Sequence, residues 1–336
     1  MKVLIDGDVI VYRAGFAAQT DWKCIHYVDV VDPDDPEQDI EQMHPCAYAK
    51  ENSGKDNNVE QMVEELGLHE DEYQIEHWAD PQPKSYALHL VKQEIERIVM
   101  ACEGYLAETG QSVSEVKIYL TGSTNFRNKV ATIRGYKANR KDRARPLHYD
   151  TIRTYMLEHL DAQLILGMEA DDALAIEQWA DDPYDPKSII CTIDKDLSLV
   201  PGLQYNFLKK DGYYISEQQA TLNFYKQLLT GDTADNIPGL YRVGQKAADK
   251  LLTLEMSEWE LYEACLLEYT KRIENSREKG HKTEGYYVDD MTPYEHLLEN
   301  ARLLWMLQKP DQLWVPPLEE GEREWKGIKA EGFSDD

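Results

Sequence analysis

Lys2-Val3-Leu4-Ile5-Asp6-Gly7-Asp8-Val9-Ile10-Val11-Tyr12-Arg13-Ala14 opens the chain with a short apolar run, an acidic turn, and apolar residues that then recur at near-helical spacing. The order read from it is strand, turn, helix, with Asp6 at the carboxyl end of the strand. The same rhythm returns downstream. A helix over about 85–103 carries Leu88, Val91, Ile95, Ile98 and Val99 on one face, and the apolar run 116–120 follows it as a strand. A second helix over about 149–160 leads through 164–167 into Glu169-Ala170-Asp171-Asp172, which opens a third; the buried strand 188–193 ends in Asp194-Lys195-Asp196. Strands alternating with helices point to an α/β fold with a central, mostly parallel sheet flanked by helices, in which functional groups gather beyond the carboxyl ends of the strands. A tyrosine-rich hairpin is expected around 209–215, and the remainder is mostly helical.

Charge is distributed unevenly along this frame. The 336 residues hold 36 Lys and Arg against 63 Asp and Glu, a net charge of −27. That excess argues against a protein that coats nucleic acid by net charge, yet it permits a local basic strip. Such a strip exists: Arg127, Lys129, Arg134, Lys137, Arg140, Lys141, Arg143 and Arg145 face Asp142 alone. No apolar run approaches the roughly 20 residues needed to span a bilayer, so a cytoplasmic protein with no membrane partner is expected. Five scattered cysteines do not form a disulfide framework, and reduced thiols are the default.

The stretch of about 21–83 breaks the alternation with acid-rich and polar loops and reads as a surface insertion. Within it Cys24 and His26, with His44 and Cys46, form mirrored pairs of soft ligands that offer a structural zinc site of non-standard spacing. The last residues, 319–336, form an acidic tail.

Carboxylates recur where apolar segments end: Asp6 and Asp8; Glu169, Asp171 and Asp172; Asp194 and Asp196; Asp232 and Asp235. Acids at one helix start merely suit the helix dipole. Several sets converging at one end of a sheet would repel unless cations neutralised them, and oxygen donors without paired His or Cys suit Mg²⁺ or Mn²⁺. Two such ions activate a water and stabilise the leaving oxygen of a phosphodiester. The basic strip would draw a polyanionic strand toward an otherwise repellent site, and Gly135-Tyr136-Lys137-Ala138-Asn139-Arg140 interleaves an aromatic with cations, as stacking and phosphate contact require. From Ile237 to Leu252 the residues read as a tight hairpin opening a helix, whose first amides, near Gly244, Gln245 and Lys246, suit a phosphate.

Together these residues resemble the flap endonuclease and 5′ to 3′ exonuclease family, most closely its bacteriophage branch. The resemblance rests on Leu4 to Asp8, Gly135 to Arg140, Gly167 to Asp172, Thr192 to Asp196 and Gly231 to Gly239, five blocks in the family's order. It implies a PIN-like nuclease domain over 1–230 with a basic helical arch at about 127–162, and a helix-hairpin-helix-like helical domain over 231–318. By position, Asp6, Glu169, Asp171, Asp194, Asp196 and Asp232 match metal ligands, Asp171 as the bridging one, with Asp172 and Asp235 as accessory acids. Lys137 and Arg140 match cations that contact the scissile phosphate. Tyr12 matches an aromatic on which a base stacks, and Arg13, Arg134, Tyr136, Lys141, Arg242, Gly244, Gln245 and Lys246 join it as candidate DNA contacts. Two Mg²⁺ or Mn²⁺ ions are implied, with a K⁺ on hairpin carbonyls near Val243. The implied activity is metal-dependent cleavage of duplex DNA with a 5′ end or of a 5′ flap, and of RNA in RNA–DNA hybrids, during replication or repair in a bacterial host cell, alongside replication proteins.

Two positions depart from that pattern. Gly122 stands where the family usually has a metal-binding Asp, and Asp8 or a water would take its place, a choice the sequence leaves open. Arg242 stands where a glycine is usual, which puts the tight backbone approach of the hairpin in doubt. Two other readings compete. A catalytically weakened DNA-binding scaffold of the same fold would follow from the loss at Gly122. A haloacid-dehalogenase-like phosphatase would use Asp6 as a covalent nucleophile, but it leaves the acids at 169–172 and 194–196 and the basic strip unexplained.

Overall fold

Strand β1 (Lys2–Asp6) buries Val3, Leu4 and Ile5 completely because it lies inside a sheet. In the computed structural model, which describes residues 1–29, 40–43, 49–50, 63–108, 110–140, 144–181, 185–280 and 285–318, it pairs in parallel with β6 (Glu115–Thr121) on one side and β8 (Ser188–Cys191) on the other. Beyond β6 lies β7 (Gln163–Ile165), and beyond β8 lie β9 (Gly202–Asn206) and β10 (Asp211–Ile215). The order is β10-β9-β8-β1-β6-β7, parallel throughout except for the β9–β10 hairpin. Within this sheet the chain runs from β1 to β6 and β7 on one side and then crosses to β8 on the other, so strand order reverses beside β1 and a crevice is expected outside its carboxyl end, where Asp6 sits.

The chain forms two compact units. The first comprises Met1–Val9, Glu96–Ala144 and Met156–Asp336. Its core joins Leu4 and Ile190 of the sheet with Leu174 of α5 (Ala170–Trp179), Leu228 of α6 (Glu217–Thr230), Tyr269 of α8 (Glu258–Glu278) and Leu297 of α9 (Pro293–Leu304). The division expected at 230/231 therefore falls inside this unit. These helices start where the sequence supplies caps: Ser257 with Glu260 and Thr292 with Glu295 form capping boxes that satisfy first-turn amides. The basic segment expected as an arch is helical over α3 (Arg127–Val130), in one 3₁₀ turn at Ala138–Arg140, and in α4 (Tyr149–His159). Lys141 and Arg143 lie outside the described residues.

The second unit comprises Ile10–Ile95 and Arg145–Tyr155. Here β2 (Gln19–Asp29) pairs antiparallel with β5 (Tyr73–Pro81) from Gln19↔Pro81 to Tyr27↔Tyr73, and also with β3 (Ile40–Met43) and β4 (Ala49–Lys50). The insertion read as loops thus carries a sheet of its own, with Ile25 fully buried among Tyr27, Val63, Leu68 and Tyr73. The zinc expectation falls largely outside the described residues, since His44, Cys46 and the Cys24 side chain are not among them; His26 is hydrogen-bonded to Glu76 at 2.7 Å. Helices α1 (Gly7–Ala17) and α2 (Lys84–Ala107) pass from one unit into the other.

Among the described residues no helix is long and apolar enough to cross a membrane. Cys102, Cys191 and Cys265 are buried free thiols.

Candidate functional site

Every acid of the expected constellation lies in the first unit, and the fold delivers each by a different device. Asp6 ends β1, 3% exposed, with its carboxylate held by the Val9 amide at 3.2 Å and the Thr192 hydroxyl at 3.2 Å. Glu169 is the N-cap of α5, and Asp171 stands in that helix's first turn. Asp194 and Asp196 follow β8, with the Asp196 amide donating to Asp194 at 2.9 Å. Asp232 sits in a pinched loop in which Gly231 and Gly239 adopt φ values of 72° and 59° and pack against each other's backbone, so that neither accepts a side chain. Within that loop the Asp232 carboxylate accepts the Ala234 amide at 2.7 Å.

Glu169, Asp171, Asp194, Asp196, Asp232 and Asp235 line one pocket, joined there by Lys137, Arg140 and Gln227. Their charges conflict. Burial, then Asp8 and Asp194, push the Asp6 carboxyl up to about 7. Burial, then Asp194 and Asp232, push Asp196 up to about 7. Asp171 is driven well above the carboxylate range by burial and by Asp6, Asp194 and Glu169, and it has no hydrogen bond or ion pair among the described residues.

Cations relieve the two flanks of this row. Lys137 Nζ lies 2.5 Å from Glu169 and 3.6 Å from Asp235, while Arg140 reaches Asp235 at 2.5 Å. Burial opposes ionisation of Glu169, yet Lys137 and Arg127 hold it below its usual range. On the other flank Lys195 Nζ is 2.9 Å from Asp232, and Gln227 Nε2 donates to Asp196 at 2.8 Å and to Asp232 at 3.1 Å. Burial likewise opposes the Lys195 bond and the Ala234 and Asp235 amides at Asp232, but its pKa is lowered. Lys195 and Gln227 were not singled out by the sequence; the position of Lys195 between two site acids was the available signal, whereas nothing local marks Gln227.

The basic segment lies along the acidic loop. The Lys137 amide donates to the Asp235 carbonyl at 3.0 Å, Asn139 to that of Thr233 at 2.8 Å and Arg140 to that of Ala234 at 2.7 Å. Lys137 takes a left-handed φ of 53° to do so. Three expectations change as a result. Tyr136 is 8% exposed, its hydroxyl 2.8 Å from Glu169 and 2.7 Å from Asp235, so its ring is buried rather than open to a base. Arg127, part of the basic strip, is 1% exposed and clamps Asp172. Asp172, fully buried with its oxygens taken by Arg127 and by the Glu169 and Leu307 amides, is thereby removed from the pocket.

The remaining candidates are placed as follows. Arg134 donates to the Gly285 carbonyl and stacks over Tyr286 at 4.5 Å. Arg242 takes φ 57°, the left-handed conformation that a glycine would supply, so the turn keeps its course despite the side chain, which stacks over Tyr241 at 5.0 Å. Gly244 caps the short helix α7 (Gln245–Leu251), where Gln245 bonds Asp249 at 3.0 Å and Lys246 is exposed. In the second unit Tyr12 packs edge-on to Tyr149 at 5.5 Å, Arg145 covers Tyr149 at 4.9 Å, and Arg13 faces Glu94 at 3.4 Å.

Six carboxylates line the pocket, and their oxygens fit a hard divalent cation. Among the described residues no three of them are already drawn together as a ligand cage. Lys137 and Lys195 occupy oxygens on either flank, and the uncompensated acids between them are where positive charge is lacking. Asp6 does not suit the phosphatase reading: a nucleophile must be open to its substrate, and this carboxylate is buried.

The fold and site therefore define an α/β chain with a carboxylate pocket at the ends of its central strands. No family model matches it. The thermostable DNA polymerase I of Thermus aquaticus is 33% identical over 124 residues, 34% of this chain and 14% of the polymerase, so the chain spans about one seventh of that relative's length. Among solved structures, the T5 D15 protein co-crystallised with metal ions aligns over 90% of this chain and 88% of its own, at 14% identity and a TM-score of 0.46. The T5 5′-exonuclease with bound zinc aligns over 63% and 80%, at 17% identity and a TM-score of 0.42.

Proposed function

We propose that this chain is a divalent-metal-dependent, structure-specific nuclease that hydrolyses DNA phosphodiesters at or near a free 5′ end. The observation that carries the reading is the row of mutually repelling acids, Asp6, Asp171, Asp194 and Asp196, beside cations on a mobile-length side chain and a guanidinium, Lys137 and Arg140. A buried row of this kind calls for positive charge from outside the chain, and Mg²⁺ or Mn²⁺ bound there would supply an activated water and charge stabilisation. Asp171, Asp194 and Asp196 would hold the ions with Asp6, Glu169 and Asp232. Lys137 and Arg140, now paired to Glu169 and Asp235, would exchange those carboxylates for the oxygens of the scissile phosphate and stabilise charge developing on it. Arg134, Arg242 and Lys246 would bind the strand backbone, and Tyr12 would offer a ring for stacking.

The family resemblance supports this reading, as do the acids of three separate sequence blocks and the cations of a fourth that line one pocket. It extends to duplexes with a 5′ end, 5′ flaps and RNA–DNA hybrids as substrates. The test is a cleavage assay on 5′- and 3′-labelled duplex, flap and single-stranded DNA with Mg²⁺, Mn²⁺ or EDTA, together with Asp194→Asn. Metal-dependent release of short products from the 5′ end, abolished in Asp194→Asn while DNA binding persists, is expected. Undiminished cleavage by Asp194→Asn would show the metal site to be elsewhere, and binding without cleavage in either metal would favour the scaffold reading.

A further inference from the structure

Two thiols that the pocket does not use face each other inside the first unit. Cys102 Sγ, on α2, lies 3.2 Å from Cys191 Sγ, at the end of β8, and both residues are fully buried. The packing of α2 brings them together. Ile98, Cys102 and Leu106 recur every fourth residue on the buried face of that helix. One position before Leu106, the Tyr105 ring lies 6.4 Å from that of Tyr205, the residue of β9 paired with Cys191. The second half of α2 thus lies across β8 and β9, with one sulfur over the other.

A cysteine buried singly behaves as a small apolar residue. That is enough for Cys265, whose sulfur has the Tyr225 carbonyl beside it at 3.6 Å. Cys102 and Cys191 differ, because elements 89 residues apart in sequence present two sulfurs to each other. A disulfide bond is about 2.0 Å long, so the sulfurs need approach by only about 1 Å, within reach of small side-chain rotations.

We propose that Cys102 and Cys191 are an oxidation site, converted by a small peroxide into one intrachain disulfide that joins α2 to β8. One sulfur attacks a peroxide oxygen and the O–O bond breaks, leaving a sulfenic acid and a water. The second sulfur then displaces the hydroxyl, which leaves with the second thiol proton as another water. Two thiols lose two protons and two electrons, and one hydrogen peroxide becomes two waters.

Burial sets both the rate and the product. It pushes the Cys191 thiol up, and the contact with Cys102 adds to the effect, so thiolate is scarce and peroxide enters only when α2 lifts from the sheet. Once the helix settles back, the oxidised sulfur meets its partner before a second peroxide, which leads to the disulfide rather than to sulfinic acid. The link secures a strand end that the pocket depends on. Just beyond it the Thr192 hydroxyl donates to Asp6 at 3.2 Å and accepts the Asp194 amide at 3.0 Å. The inference does not depend on the nuclease reading.

Reduced protein is treated with hydrogen peroxide, in buffer and in urea below the unfolding transition, then unfolded in iodoacetamide and digested without reductant for mass mapping. The expected result is one peptide pair joined through Cys102 and Cys191, lighter than the two free peptides by two hydrogens and released by dithiothreitol, with Cys265 recovered alkylated. The oxidised protein should melt at a higher temperature than the reduced one. Cys102→Ala and Cys191→Ala should each abolish the linked pair, and the wild-type map decides the matter if either variant fails to fold. Recovery of both residues as alkylated thiols under both conditions, as sulfinic acids, or linked to other cysteines would overturn the proposal.

Discussion

Arg127 holds Asp172 in a fully buried, two-pronged ion pair, Nη2 to Oδ1 at 2.8 Å and Nη1 to Oδ2 at 2.5 Å. The same guanidinium donates to the carbonyls of Leu303 at 2.8 Å and Trp305 at 2.8 Å, and Asp172 accepts the Leu307 amide at 3.2 Å. The pair therefore fastens the beginning of the basic segment and the start of α5 to the end of α9. Every nitrogen of the guanidinium and both oxygens of the carboxylate have a hydrogen-bond partner, which favours persistence of a buried charge pair.

Breaking that pair on one side leaves an uncompensated buried charge. Arg127→Met is expected to cost about 3–5 kcal/mol, read as a lowered midpoint in urea denaturation at constant slope. A loss under about 1 kcal/mol would show that the pair does not fasten these elements.

Gly122→Ala should destabilise the protein by roughly 1–3 kcal/mol, the usual cost of overpacking, because the added methyl meets the Ile165 carbonyl. Thermal unfolding measures it, and a neutral result would mean that β7 yields readily.

Lys137→Ala and Arg140→Ala should each slow cleavage, Lys137→Ala by roughly a hundredfold, the scale of losing one transition-state donor. Mn²⁺ affinity should not fall, since both cations compete for site carboxylates. Single-turnover rates at saturating metal decide the matter, and unchanged rates would remove these residues from the chemistry.

Asp6 and Asp196 titrate near 7 in the metal-free fold, against about 3.9 for an unfolded aspartate. An acid whose folded pKa is raised keeps its proton longer when folded, so its ionisation costs stability as pH climbs from about 4 to 7 and that cost remains above it. Bound cation offsets the cost and competes with the protons. Saturating Mg²⁺ should therefore raise the melting temperature more at pH 7.5 than at pH 5. Equal increments at both values would contradict the assignment of these acids to the metal.

Residues 2–14 were enough to read strand, turn and helix, because β1 is buried on both faces and so carries a continuous apolar run. The second sheet escaped that reading. β2 is interrupted by polar residues and is followed by an acid-rich stretch, and its pairing with β5 joins segments more than forty residues apart, which no local period reports. Tyr136 and Arg127 were read as surface for a similar reason. Aromatics alternating with cations look the same in a sequence whether they face solvent or, as here, are buried against Glu169 and Asp172.

The sequence by itself determined the alternation of strand and helix, the five acidic and basic blocks, and their resemblance to flap endonucleases and exonucleases. These follow from local periodicity and residue type. Only the tertiary structure decided which carboxylates remain open to a ligand: Asp172 is consumed by Arg127, Asp8 is engaged by the Thr121 amide at the end of β6, and Asp171 is left without a partner among the described residues. The physical reason is that a carboxylate's role depends on the charges and donors within a few ångströms of it, and folding brings those from more than a hundred residues away.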